Sequence, residues 1–334
     1  MTATATKAPS KATSKAKSKA KSNYTKRDYE ADLVNGLIEL MEQGTNPWQR
    51  DWRGSAIGGH RNLITGHCYT GSNPALLELQ MMLRGTDLPL WLPIGGAKTK
   101  GWYPRKGSKG CCIIMPFQYT KELKDADGKP VVNDNGDPET VSGMGFTYKG
   151  GIFNVADMQG DGLDEAVAAA LDNGPEERTE PERHEAAEAV LSNWTHEVPV
   201  RWMGDGAKYS GTSDIIYLPP RHSFKSAEGM YATWAHEAVH STGHQDRLAR
   251  DGIVNFKGFG TESYAKEELV AELGAFLVCT RLEISSRADN HASYLSHWIK
   301  CLKEKPSFLK KSLSDANKAA NLLVPQEHDN APPD

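Results

Sequence analysis

Trp234-Ala235-His236-Glu237-Ala238-Val239-His240 is the stretch on which the reading of this chain turns. A four-residue step is close to one helical turn, so His236 and His240 leave the same face of a helix and can reach one ion. Glu237 stands beside them, placed to take a proton from a water held on that ion. This is the H-E-x-x-H arrangement of zinc peptidases. Neutral imidazoles suit zinc, and three protein ligands leave a position open for water. Manganese or cobalt also fits two histidines and a carboxylate. Such an ion acidifies its water and polarises a bound carbonyl. Flanking Ala232, Trp234, Ala235, Ala238 and Val239 are small or apolar and predict a buried helix over 226–243. Burying two histidines and a carboxylate without a shared ligand is costly, so metal binding outweighs a chance match on a surface helix.

A third ligand is sought downstream, where a helix over 263–282 carries Glu267-Glu268-Leu269-Val270-Ala271-Glu272. Glu268 on the metal, with Glu272 one turn later holding a ligand histidine, is a gluzincin-like layout. Outer bonds of that kind fix imidazole tautomer and orientation. Leu269, Val270, Leu273 and Phe276 make this helix mostly apolar, so acids on it want a partner. Asp246 is the alternative, completing H-E-x-x-H-x-x-G-x-x-D with Gly243 at the turn. His244, a third candidate just past that glycine, is expected instead to cap the helix. Upstream, 214–218 is a short strand where zincin folds hold an extended peptide by edge pairing.

The rest of the chain sets bounds. Its 334 residues have room for two domains. The first 22 residues hold six lysines, no acid and, Met1 aside, no large apolar side chain, and read as a disordered arm. They lack the apolar centre of a secretory signal, and no apolar run anywhere is long enough to span a membrane. Five cysteines, an odd number without a C-x-x-C pair, argue against a disulfide framework and for a reducing cytoplasm. Residues 1–110 carry 17 Lys and Arg against 8 Asp and Glu, so a net charge of −4 hides a basic front and an acidic back. That asymmetry suggests a polyanion partner for the front half. Helices are expected over 24–43, 74–83 and 184–193. Strands are expected over 111–117, 146–155 and 198–203, with a polar loop over 121–140.

Long runs resemble one known family. In the back half these are Ile216-Tyr217-Leu218-Pro219-Pro220-Arg221, Tyr231-Ala232-Thr233 before the H-E-x-x-H helix, Arg247-Leu248, and Tyr264-Ala265-Lys266 leading into Glu267. In the front half they are Gly44-Thr45-Asn46-Pro47-Trp48, Arg61-Asn62, Thr65-Gly66, Tyr69-Thr70-Gly71-Ser72-Asn73 and Arg105-Lys106-Gly107-Ser108-Lys109-Gly110. Over about residues 24–324 the chain resembles the plasmid antirestriction ArdC family, departing from its wording between Trp91 and Gly101. The resemblance implies a two-domain α+β protein: a small α+β domain binding single-stranded DNA, then a zincin-like metallopeptidase domain. Members travel on conjugative plasmids and phages and protect incoming DNA from host restriction. Related front domains occur on plasmid primases; no primase-like extension follows here, so priming is not expected.

The expected map is a basic arm over 1–23, a DNA-binding domain over 24–157, a linker over 158–183, a zincin-like domain over 184–324 and a tail over 325–334. Single strands are held by cations and by aromatic faces on which bases stack. The candidates are Trp48, Arg50, Trp52, Arg53, Arg61, Asn62, Tyr69, Tyr103, Arg105, Lys106 and Lys109, with little sequence preference and steep salt dependence. The partners expected are single-stranded DNA and a protein substrate, a host restriction component being one candidate, in a bacterial cytoplasm and without a membrane. The rival readings are a DNA-coating protein with a structural metal, and a peptidase whose basic half binds another anion.

Overall fold

The computed structural model describes residues 27–46, 48, 59–125, 127–133, 135–173, 178–256, 258, 261–287 and 295–326. The basic arm, Arg50, Trp52, Arg53 and most of the tail lie outside the described residues.

Helix α1 (Tyr29–Glu42) buries the stripe Leu33, Leu37, Ile38 and Met41 that its spacing predicts. Asp28 caps it by accepting from the Ala31 amide, so α1 starts there; residues 24–26, where the helix was expected to begin, lie outside the described residues. Strand β1 (Arg61–Asn62), helix α2 (Asn73–Met82), strand β2 (Leu90–Pro93), the short helix α3 (Ile94–Thr99) and strand β3 (Tyr103–Pro104) follow. Strands β4 (Cys111–Glu122) and β5 (Thr140–Asn154) pair antiparallel along their length, so the apolar strands expected over 111–117 and 146–155 are the inner parts of one long ribbon. The sheet order is β1-β2-β5-β4, with β1 and β2 parallel. Strand β6 (Met158–Gln159) pairs with β3.

The segment expected to be a linker contains helix α4 (Leu163–Asp172). Leu163 is buried, and Ala166, Val167, Ala170 and Leu171 pack with it against Leu90, Leu92, Trp102 and Met158. Its acids face outward, which is why composition alone suggested a linker.

The second half opens with α5 (Glu180–Trp194), started by a Thr179–Glu182 capping box. Strands β7 (Val200–Trp202), β8 (Lys208–Ser210) and β9 (Ile215–Leu218) form a sheet in the order β7-β9-β8. Strand β9 is therefore central, paired on both sides, and not the edge expected; β8 is the edge on that side. Helices α6 (Ala227–Ser241), α7 (Asp251–Val254), α8 (Glu262–Leu282), α9 (Leu295–Glu304) and α10 (Ser307–Leu323) complete the domain. One hydrophobic cluster runs through both halves, joining Leu33, Leu37, Trp48 and Leu76 to Trp234, Leu273, Trp298 and Leu309. Among the described residues no helix is long and apolar enough to cross a membrane.

Candidate metal centre

Helix α6 is buried along nearly its whole length because its small residues admit close neighbours. Trp234 stacks edge-on against Trp202, with centroids 5.2 Å apart. Opposite, α8 crosses at Gly274, where an added Cβ would sit 2.7 Å from Val239 Cγ1. That approach brings the acids of α8 to the histidines of α6.

His236, His240 and Glu268 are all buried, and one ligand atom from each lies within 4.8 Å of the others. The two Nε2 atoms are 3.1 Å apart. Glu268 Oε2 lies 3.6 Å from His236 Nε2, and Oε1 lies 3.5 Å from His240 Nε2. Bonds of about 2.0–2.1 Å in a tetrahedron set ligand atoms about 3.3 Å apart, so these separations fit a single ion. Burial alone would push His240 down, but Glu268 and Glu267 outweigh it and raise it to about 10. Burial likewise pushes Glu268 up, and the two histidines overcome it to hold the carboxyl well below its usual range. Converging imidazoles and a held carboxylate are what a divalent cation replaces protons on.

The far nitrogens are held as well. Glu267 Oε1 lies 3.1 Å from His240 Nδ1. Arg250 donates to both oxygens of Glu267, at 2.8 and 2.6 Å, and to Thr242 Oγ1 and the Val239 carbonyl. Glu272 Oε1 lies 4.0 Å from His236 Nδ1, and the Asn46 amide donates to its other oxygen at 3.4 Å. Sequence reasoning placed Glu272 here but missed Glu267, Arg250 and Asn46. The run Glu267-Glu268 held the signal: on a buried helix, two adjacent acids each need a partner.

Glu237 is buried, and burial holds its carboxyl above the ordinary value despite both histidines. The backbone of Tyr209 on edge strand β8 lies close enough to favour its charged form, though burial outweighs this. Asp246 is 77 % exposed and faces His244, away from the buried set, so the geometry groups Glu268 with the histidines and leaves Asp246 out.

The DNA-binding candidates divide. Trp48 is buried with its indole directed to the Ala75 carbonyl, and Tyr69 is buried among Leu77, Met81 and Trp91. Asn62 is buried and accepts from the Ile64 and Thr65 amides, shaping the turn. Arg61 is half-buried beside the Gly66 carbonyl. These four build the fold, and buried rings offer no face to a base. Tyr103 is 52 % exposed, and Arg105, Lys106 and Lys109 are exposed on the segment that follows it.

Residues 185–314 match the family model of a zincin-like metallopeptidase, and residues 27–150 match that of the N-terminal domain of anti-restriction factor ArdC. Fold and site thus define a zincin-like metallopeptidase domain carried behind an ArdC-type N-terminal domain. The metal-free antirestriction ArdC protein from plasmid R388 is similar in structure, with a TM-score of 0.61 and 29 % identity over 89 % of this chain and 97 % of that one. Its Mn(II)-bound form gives 0.59 and 27 %, with the same coverage. The chain belongs to the ArdC antirestriction family. Two Escherichia coli proteins named DNA primase TraC are 32 % identical across 90 % of this chain, which spans only 27 % and 20 % of their lengths. The uncharacterized protein y4eC of Sinorhizobium fredii is 27 % identical over 91 % of this chain and 94 % of its own. The donor set, the zincin-like domain and the Mn(II)-bound neighbour together indicate a divalent metal.

Proposed function

We propose that the chain is a plasmid antirestriction protein whose back domain is a zinc-dependent peptidase and whose front domain holds single-stranded DNA. The observation that carries the peptidase reading is the convergence of His236, His240 and Glu268, with Glu237 buried beside them. Two imidazoles and one carboxylate at tetrahedral spacing suit zinc; an oxygen-rich set would favour manganese. When bound, the ion acidifies a water and polarises the scissile carbonyl. Glu237 accepts the proton of the attacking water on a carboxylate oxygen and returns it to the leaving amine. Glu267 and Glu272 hold the imidazoles in orientation from the Nδ1 side. Edge strand β8 offers backbone groups for an extended peptide next to Glu237.

In the front domain, exposed Tyr103, Arg105, Lys106 and Lys109 supply a ring and three cations without requiring a base sequence. Tethering on an incoming strand raises the effective concentration of the peptidase near proteins bound there, a host restriction component being the substrate class this predicts. The site of action is then the cytoplasm of the recipient bacterium.

Glu237→Gln tests the chemistry, since it keeps the shape of the site and removes the base. Plasmid transfer into a restricting host should lose its protection while the purified variant still holds metal. Protection equal to wild type would show that proteolysis is not needed.

A further inference from the structure

Beyond Met115 the β4–β5 ribbon leaves the body of the front domain, and from Pro116 and Thr147 outward its residues are exposed or half-exposed. Side chains alternate between faces. One face carries Phe117, Tyr119 and Lys121, directly opposite Gly145, Gly143 and Val141. The glycines let both rings lie down across the neighbouring strand. A Cβ on Gly145 would sit 2.6 Å from Phe117 Cζ, and one on Gly143 would sit 2.8 Å from Tyr119 Oη. Each ring therefore covers bare backbone; Phe117 is 45 % exposed, and Tyr119 is half-buried. The ring centroids are 6.3 Å apart. Lys121 Nζ lies 5.0 Å from the Tyr119 ring, and exposed Thr147 and Lys149 continue the same face toward the body. No acid occupies this face between 113 and 121 or between 141 and 149, whereas Glu122 points to the other one.

We infer that this face of the ribbon is a stacking platform for unpaired nucleotides, with Phe117 and Tyr119 taking bases and Lys121 and Lys149 taking phosphates. The proposal rests on the DNA-binding reading above and gives it a location which sequence reasoning did not, since none of the candidates drawn from the sequence lies on the ribbon. Planar bases match flat rings whatever the sequence, and phosphates match the lysines on either side of them. A protein partner with an apolar surface fits less well, because docking it would strip water from the lysines at both ends of the aromatic pair.

The test uses the full chain and a fluorescently labelled oligo-dT of about a dozen nucleotides, within the usual range of site sizes for such surfaces. Anisotropy is measured for wild type, for Phe117→Ala/Tyr119→Ala, and for Gly145→Val, which keeps both rings but lifts Phe117 off the ribbon. Loss of two stacking faces should weaken binding by at least about tenfold, and Gly145→Val should weaken it in the same direction. Lys121→Gln should lower the slope of log affinity against log salt by about 0.7. Unchanged metal content and thermal midpoint in each variant would confirm that the fold is intact. Wild-type affinity in both ring variants would overturn the platform and leave the DNA-binding reading standing. A wild-type chain that binds no oligonucleotide would overturn both.

Discussion

At the residue scale, Arg250 does much of the ordering around the candidate metal. It spans Glu267, the Thr242 hydroxyl and the Val239 carbonyl, so it fixes the carboxylate behind His240 and closes the carboxyl end of α6 together. The two partners should fail differently. Glu267→Gln keeps the shape and weakens the hold on His240 Nδ1; metal affinity, measured by chelator competition, should fall about 10–100-fold with a modest change in stability. Arg250→Ala leaves Glu267 charged and buried without its cation, which costs about 3–5 kcal/mol by denaturant unfolding. Equal effects of the two on stability would mean that the arginine does not compensate the carboxylate.

At the element scale, the site depends on how closely α6 and α8 approach. With Val239 already against Gly274, Gly274→Ala should cost about 1–3 kcal/mol and loosen metal binding. Adding Val239→Ala should restore part of both, because it makes room for the new methyl. Strand β9 and α6 are flanked by a second fastening, where Arg221 donates to both oxygens of Glu188 on α5, each at 2.7 Å. That guanidinium holds the Glu188 carboxyl below the usual carboxylate range. A carboxyl depressed by folding stabilises the folded chain above its unfolded pKa, and the contribution is lost as pH falls through the folded value. Thermal midpoints followed downward from pH 6 should therefore drop less steeply below about 4.5 in Arg221→Gln than in wild type. Parallel curves would show that the pair contributes nothing.

At the scale of the whole molecule, the cluster joining α1 and Trp48 to α8, α9 and α10 makes the two domains share a core. Calorimetry should show one cooperative transition, and two resolved transitions would contradict that sharing. How much was legible in the sequence follows from the same geometry. The helices bearing His236, His240 and Glu268 could be read directly, because a buried helix carrying charge leaves few explanations. The front-domain aromatics could not, since Trp48 and Tyr69 in a core and Phe117 on a ribbon look alike until tertiary packing decides between them. Strand β8 has only three residues, too few for a period to show, and α4 hid its apolar face among acids. The central claim, one divalent ion on His236, His240 and Glu268, is tested most directly by elemental analysis of chains purified without added metal. About one zinc per wild-type chain is expected, lost in His240→Ala and Glu268→Ala and kept in Asp246→Ala. Metal retained in Glu268→Ala and lost in Asp246→Ala would contradict it.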